Sequence, residues 1–123
     1  MGYSITRMSI RDSEPILAGL ADAIVASDEG GLVIYANQAA EKLLGWSRAE
    51  LLGMPLSGLM PPRMHAMHEA GFRRSLETHR PRIFGRPVRV PARRRDGEEL
   101  DVELTLSSVR EGGKEIILAS LRD

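Results

Sequence analysis

The sequence contains no cysteine, few aromatic residues and no surplus of either charge. Without cysteine the chain has no disulfides, no zinc site with thiolate ligands and no thiol nucleophile, and a reducing cytoplasm is the setting we expect. Aromatic residues make up 4% of the 123 residues. The core must therefore consist mainly of Leu, Ile, Val, Met and Ala.

The charges balance, because Lys and Arg together number 17 and so do Asp and Glu. A neutral chain argues against direct nucleic-acid binding, which usually goes with a net basic surface. The N-terminal stretch MGYSITRMSIRDSEP lacks the apolar part of a secretion signal, and no apolar run approaches about 18 residues, so no membrane partner is predicted. Length and composition indicate one globular domain.

The first part of the chain predicts a helix followed by a hairpin. Ser13 and Pro15 are typical of a helix start, and residues 13–20 form an amphipathic segment. In AIVASDEGGLVIYAN, two apolar runs flank the glycine-containing turn of residues 28–31, which predicts a β-hairpin. Asp28 and Glu29 are therefore interpreted as turn residues and not as paired catalytic carboxylates.

Three helices are predicted between this hairpin and residue 80. Asn37 can cap a helix that ends at Gly45. Ser47, with Glu50 three residues later, predicts a capping box at the start of a second helix. Residues 62–79 have strong helical character, and Pro81 would end that longer helix.

The rest of the chain predicts three strands with turns at Asp96–Gly97 and Gly112–Gly113. In the middle strand an apolar set alternates strictly with a polar set, as in a strand with one face on a core. The apolar set is Leu100, Val102, Leu104 and Leu106, and the polar set is Asp101, Glu103, Thr105 and Ser107. The order of elements predicts an α+β fold of five strands with the helices on one side. The run Arg93–Arg95 is interpreted as a solvated turn.

Two stretches resemble a known family. IVASDEGGLVIYANQAAEKLLGWSRAELLGMPLSGLMPP and ARRRDGEELDVELTLSSV are similar, in order and spacing, to the conserved stretches of PAS domains, the ligand-sensing modules of signalling proteins. The resemblance implies a five-stranded antiparallel sheet of order 2-1-5-4-3 whose concave face and helices enclose a pocket. It divides the chain into an N-terminal extension, residues 1–12, and a PAS sensor domain, residues 13–123.

All three histidines lie in the stretch MHAMHEAGFRRSLETH. On an ideal helix His68 shares the apolar arc with Phe72, and the small residues Gly71 and Ser75 leave space beside it. His79 lies eleven residues beyond His68, about 16 Å along a helix, so these two cannot chelate one ion. His65 and His68 alone would supply too few ligands for a transition-metal site.

The resemblance extends to the heme-binding, FixL-type oxygen-sensor PAS domains. Their iron-binding histidine follows an LMP motif in the same helix, and His68 follows Leu59–Pro61 in that way. The distal leucine and isoleucine of the subgroup fall on Leu104 and Leu106, whereas its distal arginine falls on Val88, with Arg86 two residues away on the same strand face. The candidate pocket consists of His68, Gly71, Phe72, Ser75, Ile83, Arg86, Val88, Leu104 and Leu106.

The function predicted from these patterns is that of a sensor and not of an enzyme. A small ligand or cofactor would lie between the sheet and the long helix, with heme b as one candidate and His68 as its axial ligand. The absence of cysteine excludes the flavin photochemistry of light-sensing PAS domains. The ligand state would pass to an output domain outside this chain, a histidine kinase or a DNA-binding regulator of a two-component or transcription system, through a homodimer that uses residues 13–20. A ligand-free dimerisation or protein-interaction module is the alternative.

Overall fold

The computed structural model of the chain describes residues 22–65 and 87–123. Several predictions lie outside these residues: the N-terminal helix of residues 13–20, most of the helix of residues 62–79, and the positions His68, Gly71, Phe72, Ser75, Ile83 and Arg86.

Within the described residues, five antiparallel strands form one sheet. They are β1 (Ala23–Ser27), β2 (Val33–Ala36), β3 (Val88–Arg93), β4 (Glu99–Glu111) and β5 (Lys114–Arg122). Their order is β2-β1-β5-β4-β3, so the prediction of the PAS sheet order is confirmed. Because β5 pairs with β1, the last strand of the domain lies in the centre of the sheet beside the first.

Two short helices follow β2, and both begin at the predicted caps. The Asn37 side chain accepts a hydrogen bond from the backbone N–H of Ala40 and caps α1 (Gln38–Leu44). Gly45 ends α1 at a φ of 78°, a left-handed conformation that glycine adopts without strain. Ser47 and Glu50 form the predicted capping box of α2 (Arg48–Leu51). Two 3₁₀ turns, Leu56–Leu59 and Pro62–Met64, come next.

The two faces of the sheet carry separate buried clusters. Ala23 and Val25 of β1 pack with Ala40 and Leu44 of α1 and with Leu51 of α2. We call this helix-covered side of the sheet the inner face. The outer face carries Ile24, Ala26, Tyr35, Val109 and Ile116. The separation follows from the two-residue period of strands, which sends alternate side chains to opposite faces.

β4 shows the predicted alternation. Val102 is completely buried on the inner face, and Asp101 on the outer face is exposed. β4 runs on to Glu111, so Ser107 lies inside the strand. β3 contains Pro91 and continues past it. Proline has no N–H to donate to a neighbouring strand, and an edge strand such as β3 tolerates it on the side that has no neighbour. In the part of the chain that the structure describes, no helix is long and apolar enough to cross a bilayer.

Candidate ligand pocket

Three strands bring together the candidate pocket residues that the structure describes. Val88 of β3 is the pairing partner of Leu104 in β4. Leu104 in turn pairs with Leu121 of β5, and Leu106 pairs with Ala119. Because pairing partners lie side by side on one face, these five side chains form a continuous apolar patch on the inner face. We call it the inner-face patch.

The inner-face patch is only partly covered. All of its members are half-buried, whereas Val102, two residues before Leu104 on the same face, is completely buried. Leu59 and Ala92 belong to the buried cluster that encloses Val102. The described helices therefore fill the Val102 end of the inner face and leave apolar surface accessible at the Leu104–Leu106 end.

β5 and β1 contribute residues that the sequence analysis did not select. Ala119 and Leu121 extend the patch across β5. Their alternation in KEIILASL is visible in the sequence, so the strand pattern alone could have placed them there. Ser27, the last residue of β1, also lies on the inner face because it follows Val25 by two residues.

The arginines near Val88 differ in their access to the inner face. Val88 itself is a hydrophobic residue at the place where the FixL-type pattern has arginine. Arg89 points to the outer face, and its Nε lies 3.0 Å from Oδ2 of Asp101. Arg89 therefore cannot substitute for the missing arginine, and Arg86 lies outside the described residues.

His65 is the histidine that the structure describes. Its ring is half-buried, and Nε2 lies 3.2 Å from the carbonyl oxygen of Met60. Because a carbonyl oxygen can only accept, Nε2 is the donor in this hydrogen bond. Among residues 22–65 and 87–123, no three histidine or carboxylate side chains are grouped so as to hold a metal ion.

An ion pair connects Arg63, the residue just before the histidine-containing stretch, to Glu99 of β4. Arg63 donates from Nη1 to Oε2 of Glu99 at 2.9 Å and from Nη2 to Oε1 at 2.6 Å. These hydrogen bonds are the main reason that the pKa of the Glu99 carboxyl lies below its usual value. The bidentate geometry fixes the residues just before position 66 against the first residue of β4.

Replacing Arg63 by alanine should raise the pKa of Glu99 towards that of an ordinary glutamate. The lowered pKa of Glu99 stabilises the folded protein at pH values above the pKa that Glu99 has in the unfolded chain. This stabilisation is lost as the pH falls through the pKa of Glu99 in the folded protein. The carboxyl chemical shift of Glu99, followed by NMR across an acid titration, measures the change. Arg89→Ala is the matched control and should leave Glu99 unchanged. An equal shift in both variants would contradict the assignment.

The arginine run of the β3–β4 hairpin forms structural contacts. Arg95 places Nη2 3.0 Å from Oε2 of Glu50, and its guanidinium lies 5.6 Å from the centroid of the Trp46 ring. Arg94 differs from the predicted solvated turn, because it is half-buried and donates from Nη1 to the carbonyl of Leu43 at 3.1 Å. Arg94 and Arg95 therefore hold the β3–β4 hairpin against the end of α1.

The comparisons agree with this geometry. The PAS family, described as the PAS fold, matches residues 11–123 of the chain.

This chain belongs to the PAS family.

Two relatives of this PAS domain are sensor proteins. It is 32% identical over 108 residues to Sensor protein FixL of Bradyrhizobium diazoefficiens, which covers 88% of this chain and 21% of the relative. It is 31% identical over 99 residues to Oxygen sensor protein DosP of Escherichia coli, with 80% and 12% covered. The chain thus spans about a fifth or less of the length of these relatives.

A solved structure supports the fold. The crystal structure of a PAS domain from Colwellia psychrerythraea superimposes with a TM-score of 0.75 at 20% identity, over 93% of this chain and 95% of that one. At this identity the likeness concerns the fold alone. The chain is accordingly a PAS sensory domain akin to those of sensor proteins.

Proposed function

We propose that this PAS domain binds a small ligand between the inner-face patch and the helix predicted for residues 62–79. The observation that carries the proposal is the partial exposure of the patch beside the completely buried Val102. Fully burying a Val or Leu side chain contributes about 1.5–3 kcal/mol relative to leaving it exposed. Part of that free energy remains available to a ligand that covers Val88, Leu104 and Leu106.

The ligand state would reach an output domain through the sheet. The patch includes residues of β5, and the whole of β1 pairs with β5, from Ala23 opposite Leu121 to Ser27 opposite Ile117. Only two residues separate β1 from residues 13–20, the segment proposed for homodimer formation. A ligand that prefers one arrangement of β5 would therefore change the dimer and the attached kinase or DNA-binding domain, provided that its affinity differs between the two arrangements. The proposal assigns recognition and relay to this domain and no chemical step.

Filling the patch tests the proposal. The probe is 2-naphthol, a bicyclic molecule with one hydroxyl, and its affinity is measured by calorimetry. Leu106→Trp places a larger side chain on the inner face and should weaken 2-naphthol binding about tenfold or more, because the ligand loses the apolar area that it would cover. Ser107→Trp makes the neighbouring change on the outer face, where Ser107 is exposed, and should leave the affinity unchanged.

Equal affinities of the two tryptophan variants, or no binding by the unaltered domain, would contradict the pocket. The ligand-free interaction module would then be the better description of the domain.

Heme is the candidate cofactor, because the stretch around His68 resembles the heme-binding FixL-type subgroup and one relative is named an oxygen sensor. The residues present fit a porphyrin in one respect: the inner-face patch is aliphatic throughout and suits an apolar ring. His68 is the proposed axial ligand and lies outside the described residues. When bound, heme b would supply an iron centre that responds to gases or redox state. Leu104 and Leu106 would exclude water from that centre.

A further inference from the structure

Ser27 is a buried hydroxyl without a partner. The residue is 1% exposed, and its Oγ makes no hydrogen bond in the structure. Buried hydroxyl groups are nearly always hydrogen-bonded, because removing them from water without a new partner costs stability. An exception on the face that carries a candidate pocket therefore requires a reason.

Among the described residues, the strand neighbours of Ser27 offer its hydroxyl no polar side chain. Its pairing partners on the two neighbouring strands are Ile117 of β5 and Val33 of β2, and Val25 is the preceding residue on the same face. All three are aliphatic. A trapped water molecule needs two to four polar partners, and these side chains supply none.

The backbone beside Ser27 is also irregular. The register of the β1–β2 ladder shifts between Ala26 and Ser27, so that Ser27 pairs with Val33 whereas Ala26 pairs with Tyr35. Such bulges occur often beside functional sites, where they redirect a side chain. The extra residue, Ile34, belongs to β2, so Ser27 faces the irregular part of the neighbouring strand while its own pairing with β5 stays regular.

Ser27 lies beyond the inner-face patch on the same sheet face. Along β1 the patch is flanked by Val25, which pairs with Ala119, and Ser27 follows two residues later, about 7 Å along the strand. Because the Ser27 hydroxyl is buried, a molecule whose apolar body covers Leu106 and Ala119 reaches it with a polar group when the side chains that cover the hydroxyl move aside.

We infer that the Ser27 hydroxyl hydrogen-bonds the ligand of this pocket, which is then a small amphiphilic molecule with an apolar body and a polar group at its β1 end. The inference rests on the proposed function. It limits the ligand class, because a purely apolar molecule would leave the hydroxyl unpaired.

A matched pair of probes tests this inference. 2-Naphthol and 2-methylnaphthalene have nearly the same shape, and only the first can hydrogen-bond. The unaltered domain should bind 2-naphthol about fivefold more tightly than 2-methylnaphthalene, and Ser27→Ala should abolish that preference. Ser107→Ala makes the same chemical change at an exposed site on the outer face and should retain the preference.

The stability of Ser27→Ala gives an independent readout. After small molecules have been removed on a hydrophobic resin, the Tm of Ser27→Ala should equal or exceed that of the unaltered domain, because the variant loses an unpaired hydroxyl. A clearly lower Tm would overturn the inference by revealing a partner within the protein.

The outcomes separate the inference from the proposed function. If Leu106→Trp weakens 2-naphthol binding and Ser27→Ala leaves the preference unchanged, the pocket stands and the role of Ser27 is overturned. If neither probe binds the unaltered domain, or if Leu106→Trp has no effect, the pocket itself is overturned.

Discussion

Replacing Asn37 by alanine is expected to lower the free energy of unfolding by about 3 kcal/mol. Asn37 is 2% exposed, and its Oδ1 accepts from the backbone N–H of Ile24 at 2.9 Å and of Ala40 at 3.0 Å. Its Nδ2 donates to the carbonyl of Asp22 at 2.9 Å. Alanine would take the side-chain acceptor away from the buried N–H of Ile24, leave the N–H of Ala40 with only the backbone carbonyl of Asn37, and remove the side-chain link between the start of α1 and β1.

The change should appear as a Tm about 10 °C lower in calorimetry or circular dichroism. Asn37→Asp is the matched control: its carboxylate still accepts from Ile24 and Ala40, while its second oxygen faces the Asp22 carbonyl and replaces a hydrogen bond by a repulsion. We therefore expect Asn37→Asp to be more stable than Asn37→Ala. If the two variants melt together, the two accepted hydrogen bonds do not account for the loss. Ser47→Ala removes the cap of α2, whose hydrogen bonds are exposed. We expect a smaller decrease in Tm from Ser47→Ala than from Asn37→Ala, because this cap has no link to β1.

The role of Asn37 illustrates what local sequence can and cannot predict. The cap on α1 depends on residues three positions apart, so the sequence was sufficient to predict it. The bond to Ile24 joins residues 13 positions apart and exists only because β1 and β2 pair. Arg94 is a stronger case, since it bonds Leu43 across 51 positions and turned an expected solvated turn into a tertiary contact.

The candidate site divides in the same way. Alternation in β4 placed Leu104 and Leu106 on the same face as Val102, and the structure confirms that placement. The pattern could not distinguish the buried Val102 from its half-buried neighbours, because coverage depends on where the helices pack. The sequence could not predict that the Ser27 hydroxyl lacks a hydrogen-bond partner either, because this depends on the side chains that β2 and β5 place beside β1. The sheet order followed from the family resemblance and not from periodicity.

The second large effect concerns heme. If the domain is the proposed heme sensor, adding hemin and removing the excess by gel filtration should leave a protein with a Soret band, and His68→Ala should eliminate that band. Loss of a group that merely orients a metal ligand already lowers metal affinity about 10–100-fold, so loss of the ligand itself should lower hemin affinity at least about 100-fold. Absorbance spectra of the purified variants, recorded at equal protein concentration, measure the effect.

The other two histidines provide the controls. His65 already donates from Nε2 to the carbonyl of Met60, and on the predicted helix His79 would lie about 16 Å from His68, so neither is expected to ligate the same iron. His65→Ala and His79→Ala should therefore keep the band, and added imidazole should restore it in His68→Ala by replacing the missing ring. Loss of the band in His65→Ala alone would move the axial ligand to His65. An unaltered domain without any Soret band would exclude heme and leave the amphiphilic, non-heme ligand that Ser27 indicates, because that inference requires a polar group near β1 and no iron.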